Sequence, residues 1–298
     1  MITIKARLKP FSHVPGIVTM IPGTSICVRA FPMKLVFTDL LSGKMWEEGL
    51  GWKGPVEGFT VEMDLDKGGV SIFGKTREGF RRHWIAGEKR VVERLSLGKH
   101  TRLEWEDVRR RMSVEEIAPV LFALGQGAPS AEGTSPALSL LHFTDKREIV
   151  SRLKSFFCVG FSGMLVPRLV DEEFQGIVEE GKGSGSPLAL LRQGYGVIRS
   201  LFFEEMGEEV ALLPLLPPEF HAGRLTHLLT TQGDKFSLEW SKKLLKQVVI
   251  EPAVTRSIVL VLQKSLASFR VNRKGRQEAE ASLQLQRGKR IVLDRFEK

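Results

Sequence analysis

The strongest constraint on this chain is the run of short, punctuated strand patterns that opens it. Residues 2–8, 16–21, 24–31, 34–40, 58–65 and 69–76 are rich in β-branched and aromatic residues. Turn signals separate them: Pro10, Pro15-Gly16, Pro22-Gly23, Ser42-Gly43, Gly54-Pro55 and Lys67-Gly68-Gly69. Runs this short with such punctuation predict an antiparallel β-sandwich. Phe59 to Leu65 alternates apolar and polar, as a strand with one buried face should.

The pattern changes near residue 101. Residues 101–112 place Leu103, Val108 and Met112 near helical spacing. Ser113 and Glu116 read as a capping box for a helix over 113–126. Asp145 reads as the N-cap of a helix over 146–161, and Pro187 fits the first turn of one over 187–205. Beyond Pro214, Pro217 and Pro218, strand patterns return at 236–240, 247–250, 257–262, 266–271, 282–286 and 290–293. The expected class is therefore α+β, mainly β, in three regions. A β domain covers 1–100, a short helical region 101–212, and a second sandwich-like domain 213–298.

Composition excludes several classes. With 42% hydrophobic residues and only two cysteines, Cys27 and Cys158, the chain is neither disordered nor a disulfide scaffold. No apolar run is long enough to span a bilayer, and the first ten residues lack a secretory core, so a cytoplasmic address is expected. The net charge is +9, and residues 264–298 hold ten basic against four acidic residues. That segment has a single aromatic residue before position 290, Phe269, and so lacks a stacking platform, which argues against nucleic acid as a partner.

No metal or cofactor motif is present. The six histidines form no HExxH, no CxxC occurs, and no GxSxG elbow or phosphate-binding loop is found. Residues 181–186 read as a Gly/Ser linker, and Cys158, inside an apolar helical stretch, reads as a buried thiol. Two segments combine hydrogen-bonding groups with apolar ones, as a sugar site requires. The first carries Arg168, Asp171 and Gln175 beside Phe161 and Phe174; the second carries Glu219, His221 and Arg224. Asp171, Glu219 and His221 are the candidates for acid–base work, should these loops meet. Trp46 and Trp52 are candidate stacking surfaces for a pyranose ring.

Residues 186–250 add a resemblance. Leu212-Leu213-Pro214-Leu215-Leu216-Pro217, Gly223, Gly233, Phe236, Trp240, Leu244, Val248 and Ile250 resemble one region of the α/α-toroid glycoside hydrolases and phosphorylases. That region is the last barrel helix and the C-terminal β-sandwich, as in bacterial α-L-fucosidases and maltose-type phosphorylases. Residues 286–293 are similar to the final strand of those enzymes. A twelve-helix toroid needs ~200 residues, whereas 101–212 offers 112. No motif matches the family's general acid. The resemblance thus implies a non-catalytic, carbohydrate-associated protein, either binding an oligosaccharide or serving a partner glycan enzyme. The alternatives are a minimal glycoside-acting enzyme and an interaction protein using its basic C-terminal segment.

Overall fold

The computed structural model describes residues 2–88, 92–98, 102–133, 135–143, 145–170, 185–280 and 282–298. The chain is mostly β, with several antiparallel sheets and few helices, as its α+β, mainly β pattern predicts.

Eight strands build the N-terminal part: β1 (Phe11–Ser12), β2 (Ile17–Met20), β3 (Ile26–Ala30), β4 (Lys34–Asp39), β5 (Met45–Gly49), β6 (Glu57–Asp64), β7 (Gly69–Thr76) and β8 (Gly79–Ala86). They form two four-stranded antiparallel sheets, ordered β2-β3-β4-β5 and β1-β6-β7-β8. Period-two alternation decides what is inside. Val28, Leu35 and Phe37 from one sheet, with Val61, Met63, Val70 and Ile72 from the other, are buried in a common core. Strands β5 and β8 are edges, and their sequences lack a run of apolar residues, so the sequence pattern misses them.

Residues 2–8 form no strand, contrary to expectation. Three of their carbonyls are taken by arginine side chains instead, Arg94 donating to Ile4 O and Ala6 O and Arg224 to Thr3 O, while Leu8 O accepts from Leu65 N. A segment tied down by guanidinium groups needs no ladder to satisfy its backbone.

Between the β parts lie β9 (Arg94–Ser96), α1 (Trp105–Arg111), α2 (Val114–Gly127), a 3-10 turn (Pro136–Leu141), α3 (Ile149–Gly160), the hairpin β10 (Phe161–Ser162) and β11 (Val166–Pro167), and α4 (Pro187–Ser200). Ser186 caps α4 by accepting from Leu188 N, with Pro187 in the first turn. Ser113 is the N-cap residue of α2 as expected, though without a side-chain capping bond, and the cap of α3 differs. Asp145 accepts from Arg147 N in a turn ahead of α3, whose N-cap is Glu148. Glu116 is buried and gripped by Arg111, while Ser113 Oγ donates to Glu115.

Helix α4 stops at Ser200, not near 205. The chain then turns back as β12 (Phe203–Met206) and β13 (Glu209–Leu212), around Gly207 at φ 66°. An apolar run such as Leu201-Phe202-Phe203 suits helix and strand alike, and here the C-terminal core claims it. The remaining strands are β14 (Ala222–Leu229), β15 (Lys235–Ser241), β16 (Leu244–Glu251), β17 (Arg256–Val261), β18 (Ser268–Val271), β19 (Gly275–Glu278), β20 (Ser282–Leu285) and β21 (Ile291–Glu297). One sheet is ordered β19-β18-β21-β16-β15-β14-β9, the other β12-β13-β17-β20, so β9, β12 and β13 share sheets with the C-terminal strands. Between them Phe202 stacks on Trp240 (5.3 Å between ring centroids) and Phe203 meets Phe236 (5.2 Å).

Two buried carboxylates fasten this region. Asp234, fully buried, accepts from Ala253 N at 2.7 Å and from Arg256, which also reaches Glu205. Glu93 accepts from Tyr195 Oη, Arg199 Nε and Leu229 N, tying α4 to β14. Burial and the Glu93 charge push the Tyr195 hydroxyl upward, so it stays a donor.

Candidate functional site

The described residues singled out from sequence lie on several elements. Arg168 is half-buried and donates to Val159 O and Cys158 O, closing the last turn of α3. Arg224 lies on β14 in the C-terminal sheet, paired with Glu239 across the strand pair at 3.0 Å. Glu219 and His221 are exposed in the turn leading into β14, linked through His221 N and Glu219 O. Asp171 and Gln175, with most of the 181–186 linker, lie outside the described residues. Trp52 is buried in the core. Cys158, expected to be buried, is exposed on α3, whereas Cys27 is the buried thiol.

Trp46 leads elsewhere. It sits on edge strand β5, opposite Phe37 on β4, and the two rings stack at 5.0 Å and 8°. Its Nε1 donates to Glu48 at 3.3 Å. Together they line a cleft of about 340 Å³ that opens between β5 and β8, the edge strands of the two N-terminal sheets. Ile21, Thr24 and Ile85 line its sides, and His83 faces it, because His83 pairs with buried Ile72 and so shares the inner face.

Alternate residues of β8 point the other way. Phe80, Arg82 and Trp84 lie on the outer face, opposite Lys75, Phe73 and Ser71 of β7. Phe80 is 67% exposed and Trp84 39% exposed. The Trp84 indole lies across Gly69: a β-carbon there would come within 2.4 Å of Trp84 Cζ2. Glycine is therefore what lets the ring sit flat on the sheet.

The same device occurs once more, closed. Trp240 lies across Gly223, where a β-carbon would meet Trp240 Cζ2 at 2.2 Å. There Phe202 covers the indole and Phe220 O takes its Nε1 hydrogen. Trp240 is buried, while Trp84 remains uncovered. An indole held flat by a glycine and partly open to solvent presents a flat apolar face.

A larger cleft, about 600 Å³, lies between α1 and the end of α3, lined by Trp105, Met112, Phe157 and Phe161. Of its rim charges, Glu106 accepts from Ser12 and Arg110 donates to Asp107, while Arg109 lines the cleft as well. Among the described residues no group of three or more His, Cys, Asp or Glu side chains gathers to hold a metal ion, and no helix is long and apolar enough to cross a membrane.

Of the residues along this edge, sequence reasoning singles out Trp46 but not Trp84, Phe80, Arg82 or His83. A signal was present: Phe80-Arg82-Trp84 places aromatic and cationic groups on one face at period two. No protein-family model matches the chain, and no curated protein does.

Proposed function

We propose that this chain is a non-catalytic carbohydrate-binding protein, with a glycan lying along the edge of β8. The observation that carries this reading is the pair of Trp–Gly stacks, closed at Trp240 and open at Trp84. The two sides of β8 supply what a sugar needs. Aromatic faces accept its C–H surface, and Glu48, His83 and Thr24 in the adjoining cleft offer hydrogen-bond partners to its hydroxyls.

The non-catalytic half of the reading rests on the loops. Among the described residues, Arg168 is tied to carbonyls at the end of α3 and Arg224 to Glu239 on β15, contacts that serve the fold. The resemblance of residues 186–250 to the toroid enzymes' C-terminal region, without room for the toroid, supports the same conclusion. The free thiols Cys27 and Cys158 suit a reducing, cytoplasmic setting.

The test is calorimetry of the full chain and of Trp84→Ala against a panel of oligosaccharides. Binding that weakens in Trp84→Ala supports the reading. No binding by the parent chain at millimolar ligand overturns it.

A further inference from the structure

The cleft of about 600 Å³ between α1 and the end of α3 takes no part in the carbohydrate reading, and none of its lining residues lies on β8. Its size falls within the usual range for small-molecule sites, about 300–1,000 Å³. One wall is set by the turn between β10 and β11, where Gly163 and Leu165 take φ 55° and 49° and Met164 N donates to Val18 O. A β-carbon at Gly163 would come within 2.6 Å of Val18 O, so glycine is what lets this turn approach β2. The turn delivers Gly163 O to Trp105, whose Nε1 donates to it at 2.7 Å. The indole is thus fixed, with its polar edge satisfied. Phe157 and Phe161, 5.9 Å apart between ring centroids, line the cleft with it.

Two charges of opposite sign line the same cleft from α1. Glu106 and Arg109 are three residues apart, which sets their β-carbons ~5–6 Å from each other on one helix face. Among the described residues no ion pair joins them, and Arg109 has no carboxylate partner. Ser12 Oγ donates to Glu106 Oε1 at 2.7 Å, which leaves Oε2 open to a ligand. The third rim charge, Arg110, is already paired with Asp107 at 2.7 Å. The cleft therefore offers an aromatic wall, one carboxylate and one guanidinium.

A plain anion meets Glu106 as well as Arg109, and a plain cation meets the reverse, so neither suits the pair. An ammonium and a carboxylate on one carbon suit both. The ammonium donates to Glu106, and the carboxylate accepts from the planar guanidinium fork of Arg109. A ring carried by the same molecule gains edge or offset contacts with Trp105, Phe157 and Phe161 beyond its buried area. We infer that this cleft binds a free aromatic α-amino acid, its charged head on Glu106 and Arg109 and its ring on that aromatic wall. No covalent step is involved. Cys158, exposed and lining the cleft, serves only as a reporter of occupancy.

The experiment titrates the full chain by calorimetry with three probes. They are free L-tryptophan, tryptamine, which lacks the carboxylate, and indole-3-propionate, which lacks the amine. L-Tryptophan is expected to bind about tenfold more tightly than either analogue, the weight of one charge-assisted hydrogen bond. In Arg109→Gln, L-tryptophan and indole-3-propionate weaken while tryptamine holds. In Glu106→Gln, L-tryptophan and tryptamine weaken while indole-3-propionate does not. Bound L-tryptophan also slows alkylation of Cys158 by iodoacetamide, which places the ligand in this cleft. Arg109 is exposed, and glutamine at 106 keeps an acceptor for Ser12, so both variants are expected to melt like the parent chain. The ranking of the three probes on the parent chain tests the assignment even where a variant fails to fold. Equal binding of all three probes overturns it, as does L-tryptophan binding that leaves Cys158 alkylation unchanged. No binding of L-tryptophan at millimolar concentration overturns it too.

Discussion

Replacing Trp84 by alanine should weaken glycan binding by an amount the structure itself bounds. Trp84 is 39% exposed, and a tryptophan side chain carries ~250 Å² of surface, so ~100 Å² is open to a ligand. Covering all of it at ~25 cal/mol/Å² is worth about 2.4 kcal/mol, or roughly fiftyfold in Kd. A single sugar ring covering half of that area gives about 1.2 kcal/mol, roughly sevenfold. The expected loss therefore lies between these limits. Isothermal titration with the best-binding oligosaccharide measures it, and a thermal melt establishes that the variant is folded. Trp84→Phe, which keeps a ring over Gly69, should recover part of the affinity. A folded Trp84→Ala protein that binds as tightly as the parent would refute the stacking argument.

Four further outcomes are expected. Gly69→Ala sets a β-carbon 2.4 Å from Trp84 Cζ2 and 2.6 Å from Ile85 O, so the indole must lift from the sheet; binding should fall while Trp84 fluorescence shifts, and an unchanged spectrum would contradict the packing. Burial pushes the Cys27 thiol up to about 12, whereas Cys158 is exposed; iodoacetamide near pH 8 should label Cys158 alone on the native chain, as peptide mass spectrometry can check. Asp234→Ala removes the acceptor of Ala253 N and one of the two carboxylates that, among the described residues, face Arg256 and should cost about 1.5–3 kcal/mol in chemical denaturation; a cost under about 1 kcal/mol would speak against that network. Hydrogen bonds from Ser42, Ser25 and Leu41 N hold the Asp39 carboxyl at about 2 against an ordinary 3.8. Since the folded value is the lower, its contribution is complete above pH ~4 and lost as pH falls toward 2. Asp39→Asn should flatten that part of the acid-stability curve, by a modest amount because the group is exposed.

The strands that sequence pattern locates are those whose apolar residues recur at period two between glycine or proline turns, such as 58–65 and 69–76. Pattern fails where tertiary partners replace local ones. Residues 2–8 look like a strand, but Arg94 and Arg224 occupy three of their carbonyls, and those arginines lie far along the chain. Strand β8 reads poorly because Arg81 and Arg82 interrupt its apolar residues, which is what an edge strand can tolerate. The proposed site was half legible. Trp46 stands out by type alone, whereas Trp84 becomes a platform only through Gly69, brought beneath it by strand pairing. Arg168 and Arg224 attract notice as loop cations, yet each serves backbone carbonyls or a cross-strand carboxylate.

The most direct test follows the indole N–H signals of the five tryptophans by ¹⁵N-resolved NMR while an oligosaccharide is titrated in. Trp105, on the wall of the cleft between α1 and α3, donates to Gly163 O at 2.7 Å, buried Trp240 donates to Phe220 O at 3.1 Å, and Trp52 is buried. These three should stay still. Trp84 and Trp46, on the two sides of the β8 edge, should move together and saturate at one ligand concentration. Shifts confined to Trp105 or Trp240, or no shift at millimolar ligand, would contradict the assignment of this edge as the glycan site.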